Sequence, residues 1–311
     1  MRFSIIIPAH NEEMDIAATL EALLALDYPD REILVVDDSS DRTPETVGGY
    51  ARQGVRLIHP GGGGRCEARN LGIREASGEV VVILNADVLL PADFLRRLTY
   101  HYENGADYVL VDANVANRQF LFPRYVHCVS EIFYSRAVDC NFANMDWTEG
   151  FSCRRETALK AGLFPTGFPV PIGAGEDGFF GRGLRRIGAK KVIDLSLEVA
   201  CVAPASFRRY WATRQERGAG WAQVHRFLDR WPWWKILLWN GLKTAKAAVW
   251  LTTLAPALWT CLQAARHSDR GLKDLGPFFY AYAVEQLAGL VGAWQATFAL
   301  MEMERLRSEL R

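Results

Sequence analysis

The chain has 311 residues, half of them apolar, with 36 lysines and arginines balanced by 36 aspartates and glutamates for a formal net charge of zero. Such a chain can bury a substantial core, as one large domain with an appendage, and its charge balance removes the basic footprint expected of a nucleic-acid-binding protein. The six cysteines, Cys66, Cys128, Cys140, Cys153, Cys201 and Cys261, lack CxxC spacing and the N-terminus lacks a signal-peptide pattern, so reduced thiols in a cytosolic setting are expected.

In chain order, residues 3–9 (FSIIIPA) are a short apolar run with β-branched residues, followed by His10, Asn11, Glu12 and Glu13 and then by a helical pattern through Ile16, Leu20, Leu23 and Leu24. Residues 31–36 (REILVV) predict a second strand running into Asp37, Asp38, Ser39, Ser40 and Asp41, after which Thr43 and Pro44 open a second helix. Val55 to His59 reads as a third strand, and four glycines, Gly61 to Gly64, lead from it into a helix over 65–76. The run EVVVILNADVLL at 79–90 predicts a buried strand whose C-terminal end delivers Asn85, Ala86 and Asp87 to a sheet edge. This alternation implies βαβ units and a mostly parallel sheet flanked by helices, with the polar clusters along one rim, where open α/β sheets bind ligands. Any one cluster reads equally well as a helix cap or turn. Three at successive strand ends read as a site, and acidic groups there suit hydroxyls, base edges or a divalent cation that carries a phosphate. No GK[ST] follows the glycines and no GxGxxG opens the first helix, so ATPase and dinucleotide readings lose support. The glycines read as a mobile loop or one that lets backbone approach a ligand.

Taken together, IIIPAHNEE at 5–13, EILVVDDSSDRT at 32–43, ARNLGIREASGEVVVILNAD at 68–87 and GEDGFFGRGLRRIG at 175–188 resemble the family 2 glycosyltransferases of GT-A fold. The four motifs occur in the family's order. The resemblance covers roughly residues 1–215 and implies a Rossmann-like catalytic domain that transfers a sugar, with inversion, from a UDP- or GDP-linked donor. On it, Pro8, Ala9, Asn11 and Glu12 match the first nucleotide-binding strand end and Asp38 the aspartate that reads the base. Arg69 and Asn70 pack the donor side. Asn85, Ala86 and Asp87 match the DXD motif, whose last aspartate holds Mg²⁺ or Mn²⁺ between the donor phosphates, and Asp177 matches the catalytic base. The adjacent Glu176 should discourage ionisation of both carboxylates and make one more basic. Two residues depart from the pattern: Asn85 stands where the family has an aspartate, and Cys201, in EVACVAPASF, where it often has a histidine. Both weaken the ligand set for a hard cation.

Acceptor recognition is expected between residues 107 and 175, where Phe122, Tyr125, Phe133 and Tyr134 offer sugar-stacking faces or core, and where the Gly- and Pro-rich GFPVPIGAGED reads as a loop. Arg208, Arg209, Arg214 and Arg217 follow; Arg214 and Arg217 are candidates for holding a donor or lipid phosphate, or lie on a solvated helical face. From residue 216 onward amphipathic and apolar helices are expected to associate with a membrane. Eight of the ten tryptophans fall between Trp211 and Trp259, WPWWKILLW sets tryptophan beside Lys235, and the uncharged stretch 247–265 is long enough for one spanning helix despite Pro256. The second apolar run, 275–300, carries one carboxylate, Glu285, which needs a partner. Spanning helices, helices lying in the bilayer plane, and a soluble helical subdomain or homo-oligomer interface all fit. The expected activity is hexosyl or N-acetylhexosaminyl transfer to a lipid-linked or membrane-proximal acceptor, in cell-surface glycan synthesis at the cytoplasmic face of the cell membrane. A non-catalytic nucleotide-sugar-binding scaffold and a soluble nucleotidyltransferase are the competing readings.

Overall fold

The computed structural model describes residues 1–139 and 146–309, without the side chains of 133–139, so the side chains of Phe133 and Tyr134, and Cys140 entirely, lie outside what is described. The chain divides into two compact units: Met1–Asn114 with Asn144–Pro171 and Glu176–Val202, and Val115–Ala143 with Ile172–Gly175 and Ala203–Arg311.

The first unit is built on an eight-stranded sheet of order β3-β2-β1-β4-β7-β6-β8-β5. Its strands are β1 (Phe3–Ala9), β2 (Arg31–Asp37), β3 (Val55–Ile58), β4 (Val80–Ile83), β5 (Val88–Leu89), β6 (Tyr108–Val115), β7 (Phe151–Arg154) and β8 (Lys191–Cys201). Successive side chains of the central strands enter opposite cores, as the two-residue strand period requires. Ile5, Ile7, Val35, Val80 and Val82 pack with Leu20 and Leu23 of α1 (Ile16–Leu24) and with Leu95 and Leu98 of α4 (Phe94–Glu103). Ile6, Leu34, Val36, Val81 and Ile83 pack on the other face with Ile73 of α3 (Gly64–Glu75), Ala158 of α6 (Arg155–Ala161) and Phe180 and Leu184 of α7 (Glu176–Arg186). Burial on both faces is why these strands read as continuous apolar runs.

The expectation of a mostly parallel sheet is corrected. β1 pairs in parallel with β2 and β4, and β2 with β3, but β7 runs antiparallel to β4 and β6, and β5 antiparallel to β8. The sheet is mixed because β6 and β7 are joined by a long excursion through α5 (Leu121–Asp139) instead of a βαβ crossover, so no crossover imposes parallel direction. The glycine loop before α3 is sharply defined: Gly61, Gly62, Gly63 and Gly64 all have positive φ, between 72° and 106°, a run that L side chains would strain.

The second unit is helical, with α5, α8 (Phe207–Gln223), α9 (Trp233–Thr253), α10 (Ala255–Arg266) and α11 (Leu275–Glu309), and one π turn at Val224–Leu228. Phe122, Tyr125, Tyr210, Cys261, Phe278 and Tyr282 form its core. Helices α8 and α11 approach to backbone contact, because a Cβ on Gly292 would fall 1.9 Å from the Gln215 carbonyl oxygen. The straight spanning helix expected over 247–265 is not formed. The chain breaks at Leu254 (φ 60°), just before Pro256, and α9 and α10 meet at 80°. Proline in the first turn of α10 has no N–H to continue the ladder of α9. Among the described residues no single helix is long and apolar enough to cross a membrane, and the bent α9–α10 pair passes that test only when taken together.

Candidate active site

The C-terminal ends of β1, β2 and β4 share one rim because the strands are parallel and in register, with Ala9 opposite Asp37. Pro8 and Ala9 are strand residues, Ala9 buried. Asn11 takes a left-handed conformation (φ 58°), its N–H donating to Ser39 Oγ (2.7 Å) while its Oδ1 accepts from the Ser40 N–H (3.0 Å). The Glu12 N–H donates to Thr43 Oγ1 (2.8 Å), and Asp38 Oδ1 lies 2.9 Å from His10 Nδ1. These bonds tie the β1 and β2 loops into one polar surface.

At the next strand end, the Thr19 hydroxyl donates to the Ala86 carbonyl (2.6 Å), and the Val202 N–H donates to that of Asp87 (2.9 Å). The pairing of Val88 with Cys201 brings the cysteine beside Asp87. Burial, together with the carboxylates of Glu149 and Asp15, pushes the Asp87 carboxyl up to about 6. Burial, Glu149 and Asp87 likewise push the Cys201 thiol well above its ordinary value, which keeps it protonated and a poor cation ligand at neutral pH.

Arg69 is the hub. It is 1% exposed and comes from the buried face of α3. Its Nη1 donates to Glu176 Oε1 (2.7 Å), and its Nη2 donates to Asn85 Oδ1 (3.1 Å) and Thr148 Oγ1 (3.1 Å). The guanidinium also lies 5.1 Å from the centre of the Phe164 ring. One side chain therefore joins the Asn85–Asp87 turn to the start of α7. Asn85, where the family has a carboxylate, spends its carbonyl on this guanidinium. Asn70 is spent as well: its Nδ2 donates to the Phe164 carbonyl and its Oδ1 accepts from the Phe164 N–H, both at 2.9 Å.

Glu176 is 4% exposed and ion-paired, so the GED segment is no solvated helix cap. Asp177, one residue on, accepts the Gly178 N–H on Oδ1 (2.7 Å). Burial and the Glu176 charge push its carboxyl up to about 6, Glu149 adding to the rise and Arg69 opposing it. A carboxylate of that basicity can accept a proton from a hydroxyl near neutral pH.

Two groups escaped the sequence reading. Glu149 acts on Asp87, Asp177 and Cys201 at once, but a single carboxylate in WTEGF carries no motif. Arg65, the first side chain after the glycine loop, lies 3.9 Å from Glu176 and lowers Asp87 electrostatically; a lone arginine in a helix start gave no signal. Arg214 and Arg217 lie on α8 in the second unit. Arg214 is buried with its Nε 3.2 Å from Glu285 Oε1, and the Tyr125 hydroxyl donates to Glu285 Oε2 (3.0 Å). Its charge is committed to Glu285, the one carboxylate of the second apolar run. Arg217 is exposed on the same helix.

Among the described residues no group of three or more His, Cys, Asp or Glu could hold a metal by itself. The fit to a divalent cation is that of a shared site. Asp87 and Glu149 repel one another and offer hard oxygens, and a diphosphate would meet that same negative field unless a cation came with it.

The mixed sheet with flanking helices resembles that of GT-A glycosyltransferases. Residues 4–157, just under half of the chain, match the Glycosyl transferase family 2 description. Over 124 residues (38% of the chain) the sequence is 30% identical to the poly(ribitol-phosphate) beta-N-acetylglucosaminyltransferase TarS of Staphylococcus aureus. Over 106 residues (32% of the chain) it is 34% identical to the beta-monoglucosyldiacylglycerol synthase of a Synechocystis strain. Each match spans only 22% of the relative's own length. The fold is shared with solved structures across nearly the whole chain. TarS 1–349 in complex with UDP-GlcNAc superposes with a TM-score of 0.55 at 16% identity, covering 94% of this chain and 90% of that one. The mannosyltransferase PcManGT of Pyrobaculum calidifontis, in complex with GDP-Man and Mn²⁺, superposes with 0.60 at 22% identity, covering 95% and 86%.

Proposed function

We propose that the protein is an inverting glycosyltransferase that moves a hexosyl or N-acetylhexosaminyl group from a UDP- or GDP-linked donor to a lipid-linked or membrane-proximal acceptor, at the cytoplasmic face of the cell membrane. The observation that carries this reading is Asp177: a carboxyl raised to about 6 whose neighbour Glu176 is locked onto Arg69, leaving Asp177 as the base of the GED segment. In the reaction the acceptor hydroxyl gives its proton to Asp177, its oxygen bonds to the anomeric carbon, and the bond to the nucleoside diphosphate breaks with inversion. Asn11, Glu12 and Asp38, on the tied β1–β2 rim, bind the nucleoside, with Pro8 and Ala9 shaping the strand end beneath it. Arg65 offers a cation to the departing diphosphate. Asp87, assisted by Glu149, would hold Mg²⁺ or Mn²⁺, which when bound supplies further counter-charge there. Arg69 and Asn70 position the site from beneath.

Relatives that act on poly(ribitol-phosphate) and make a glycosyldiacylglycerol support a cell-surface or lipid acceptor. Neighbours holding UDP-GlcNAc and GDP-Man support the donor class. The test is to incubate the purified chain with a panel of UDP- and GDP-sugars and membrane lipid extract, then follow nucleoside diphosphate release and the anomeric configuration of the product. Turnover lost in Asp177→Asn supports the assignment. Binding of donor with no turnover under any condition would point instead to a nucleotide-sugar-binding scaffold.

A further inference from the structure

Helices α9 and α10 carry the largest run of exposed apolar side chains among the described residues: Trp234, Leu238, Trp239, Leu242 and Val249 on α9, then Leu254, Leu258 and Trp259 at the elbow and on α10, with exposures between 39% and 66%. On α9 the pattern is directional. Trp234, Leu238, Leu242, Ala245 and Val249 fall within an arc of roughly 80° at 3.6 residues per turn. The buried residues Ile236, Asn240 and Ala247 lie on the opposite side. A helix with a solvent-facing apolar stripe has its core contacts satisfied elsewhere and presents this face to something outside the chain.

Charge identifies the partner. Between Asp229 and Asp269 no acidic residue occurs, whereas Arg230, Lys235, Lys243, Lys246 and Arg266 do. The lysines are set on tryptophan faces: Lys235 Nζ lies 3.7 Å from the Trp231 ring centre, Lys243 Nζ 3.6 Å from that of Trp221, and Lys246 Nζ 4.5 Å from that of Trp250. By the same helical geometry Lys235 and Lys246 border the stripe. Apolar side chains edged by tryptophan and lysine, with no carboxylate, match the boundary between acyl chains and anionic headgroups. A transmembrane course does not suit α9, whose Asn240, Lys243 and Lys246 would lie within the hydrocarbon. The 80° elbow sets the two helices as arms that can lie flat together.

We propose that the exposed face of α9 and α10 docks in the plane of an anionic phospholipid bilayer, with Trp234, Leu238, Leu242 and Val249 entering the acyl boundary and Lys235 and Lys246 at headgroup level. This deepens the membrane location proposed above and does not depend on the transfer chemistry. The test is flotation of the full chain, without donor, on vesicles of phosphatidylcholine alone and of phosphatidylcholine with phosphatidylglycerol. The expected result is binding to the mixed vesicles, weakened by high salt and much weaker on phosphatidylcholine. Leu238→Ser/Leu242→Ser should lower binding on the order of tenfold or more, with an unchanged circular dichroism melt. Lys235→Glu/Lys246→Glu should remove the preference for anionic lipid, and Met14→Ser, an exposed apolar residue of the first unit, should change nothing. Equal flotation of wild type and the leucine double variant would overturn the proposal, as would no flotation at all. A dimer in solution that the leucine double variant abolishes, without vesicle binding, would assign the face to a second copy of the chain and overturn it too. Nucleotide-sugar turnover measured without vesicles separates failure of this surface from failure of the proposed activity.

Discussion

Arg69→Met isolates the buried hub. The substitution keeps much of the aliphatic volume over Phe164 but removes the partner of Glu176, itself 4% exposed, and the donor to Asn85 and Thr148. Leaving one member of a buried ion pair uncompensated costs roughly 3–5 kcal/mol, and Arg65, 3.9 Å from Glu176, holds the loss toward the lower end of that range. The two lost Nη2 bonds, one to an amide and one to a hydroxyl, cost about 1 kcal/mol each at most. The buried Nε of Arg69 has no hydrogen-bond partner, and its removal offsets part of that loss. The expected cost is therefore about 3–5 kcal/mol in urea unfolding followed by circular dichroism. Glu176→Gln introduced with Arg69→Met removes the stranded charge and should recover about half of the loss, which is the signature of direct coupling. A cost below about 1 kcal/mol for the single variant, or a double variant no more stable than the single, would refute the claim that this pair organises the site.

Three further outcomes follow from the charges. Asp177 has its carboxyl raised from 3.8 to about 6, so the folded state is penalised for ionising it; the penalty is absent below pH 4, grows from there, and is complete above pH 6. Asp177→Asn should therefore stabilise the protein by about 1–2 kcal/mol at pH 8, after discounting for partial exposure, and by almost nothing at pH 4, as thermal melts at the two pH values would reveal. Glu149→Gln should shift the acidic limb of the pH–rate profile, expected near 6, to lower pH, because Glu149 raises both Asp87 and Asp177; an unmoved limb contradicts its placement. Arg65→Met should raise the donor KM about tenfold through loss of a charged contact, with little change in the melting temperature of the unliganded chain.

Much of the first unit was legible because burial on both faces writes itself into sequence as uninterrupted β-branched runs, and because polar residues after parallel strands collect on one rim. Strand β7 was not legible at all: FSCR has four residues that alternate apolar and polar, too short a stretch to stand out, and its antiparallel pairing with β4 and β6 went unseen with it. The break at Leu254 did have a signal in Pro256, which length and hydropathy alone outweighed. Partner choice was the least visible feature. Arg214 read as a phosphate ligand from its basic neighbours, yet its charge goes to Glu285 on α11, and nothing local in RRYWATRQER encodes a partner on a distant helix. Asn85 read as a weakened metal ligand; its tie to Arg69 gives the amide a structural task that a motif comparison could not supply.

The most direct test of the account is nucleoside diphosphate release by the purified chain, with UDP-GlcNAc and GDP-mannose as donors and membrane lipid extract as acceptor source, comparing wild type with Asp177→Asn. Turnover is expected with one donor class, giving a product of inverted anomeric configuration. In Asp177→Asn turnover should fall on the order of a hundredfold or more, while that donor continues to raise the variant's melting temperature. Wild-type turnover in Asp177→Asn, or a product of retained configuration, would contradict the assignment of Asp177 as the base of an inverting transfer.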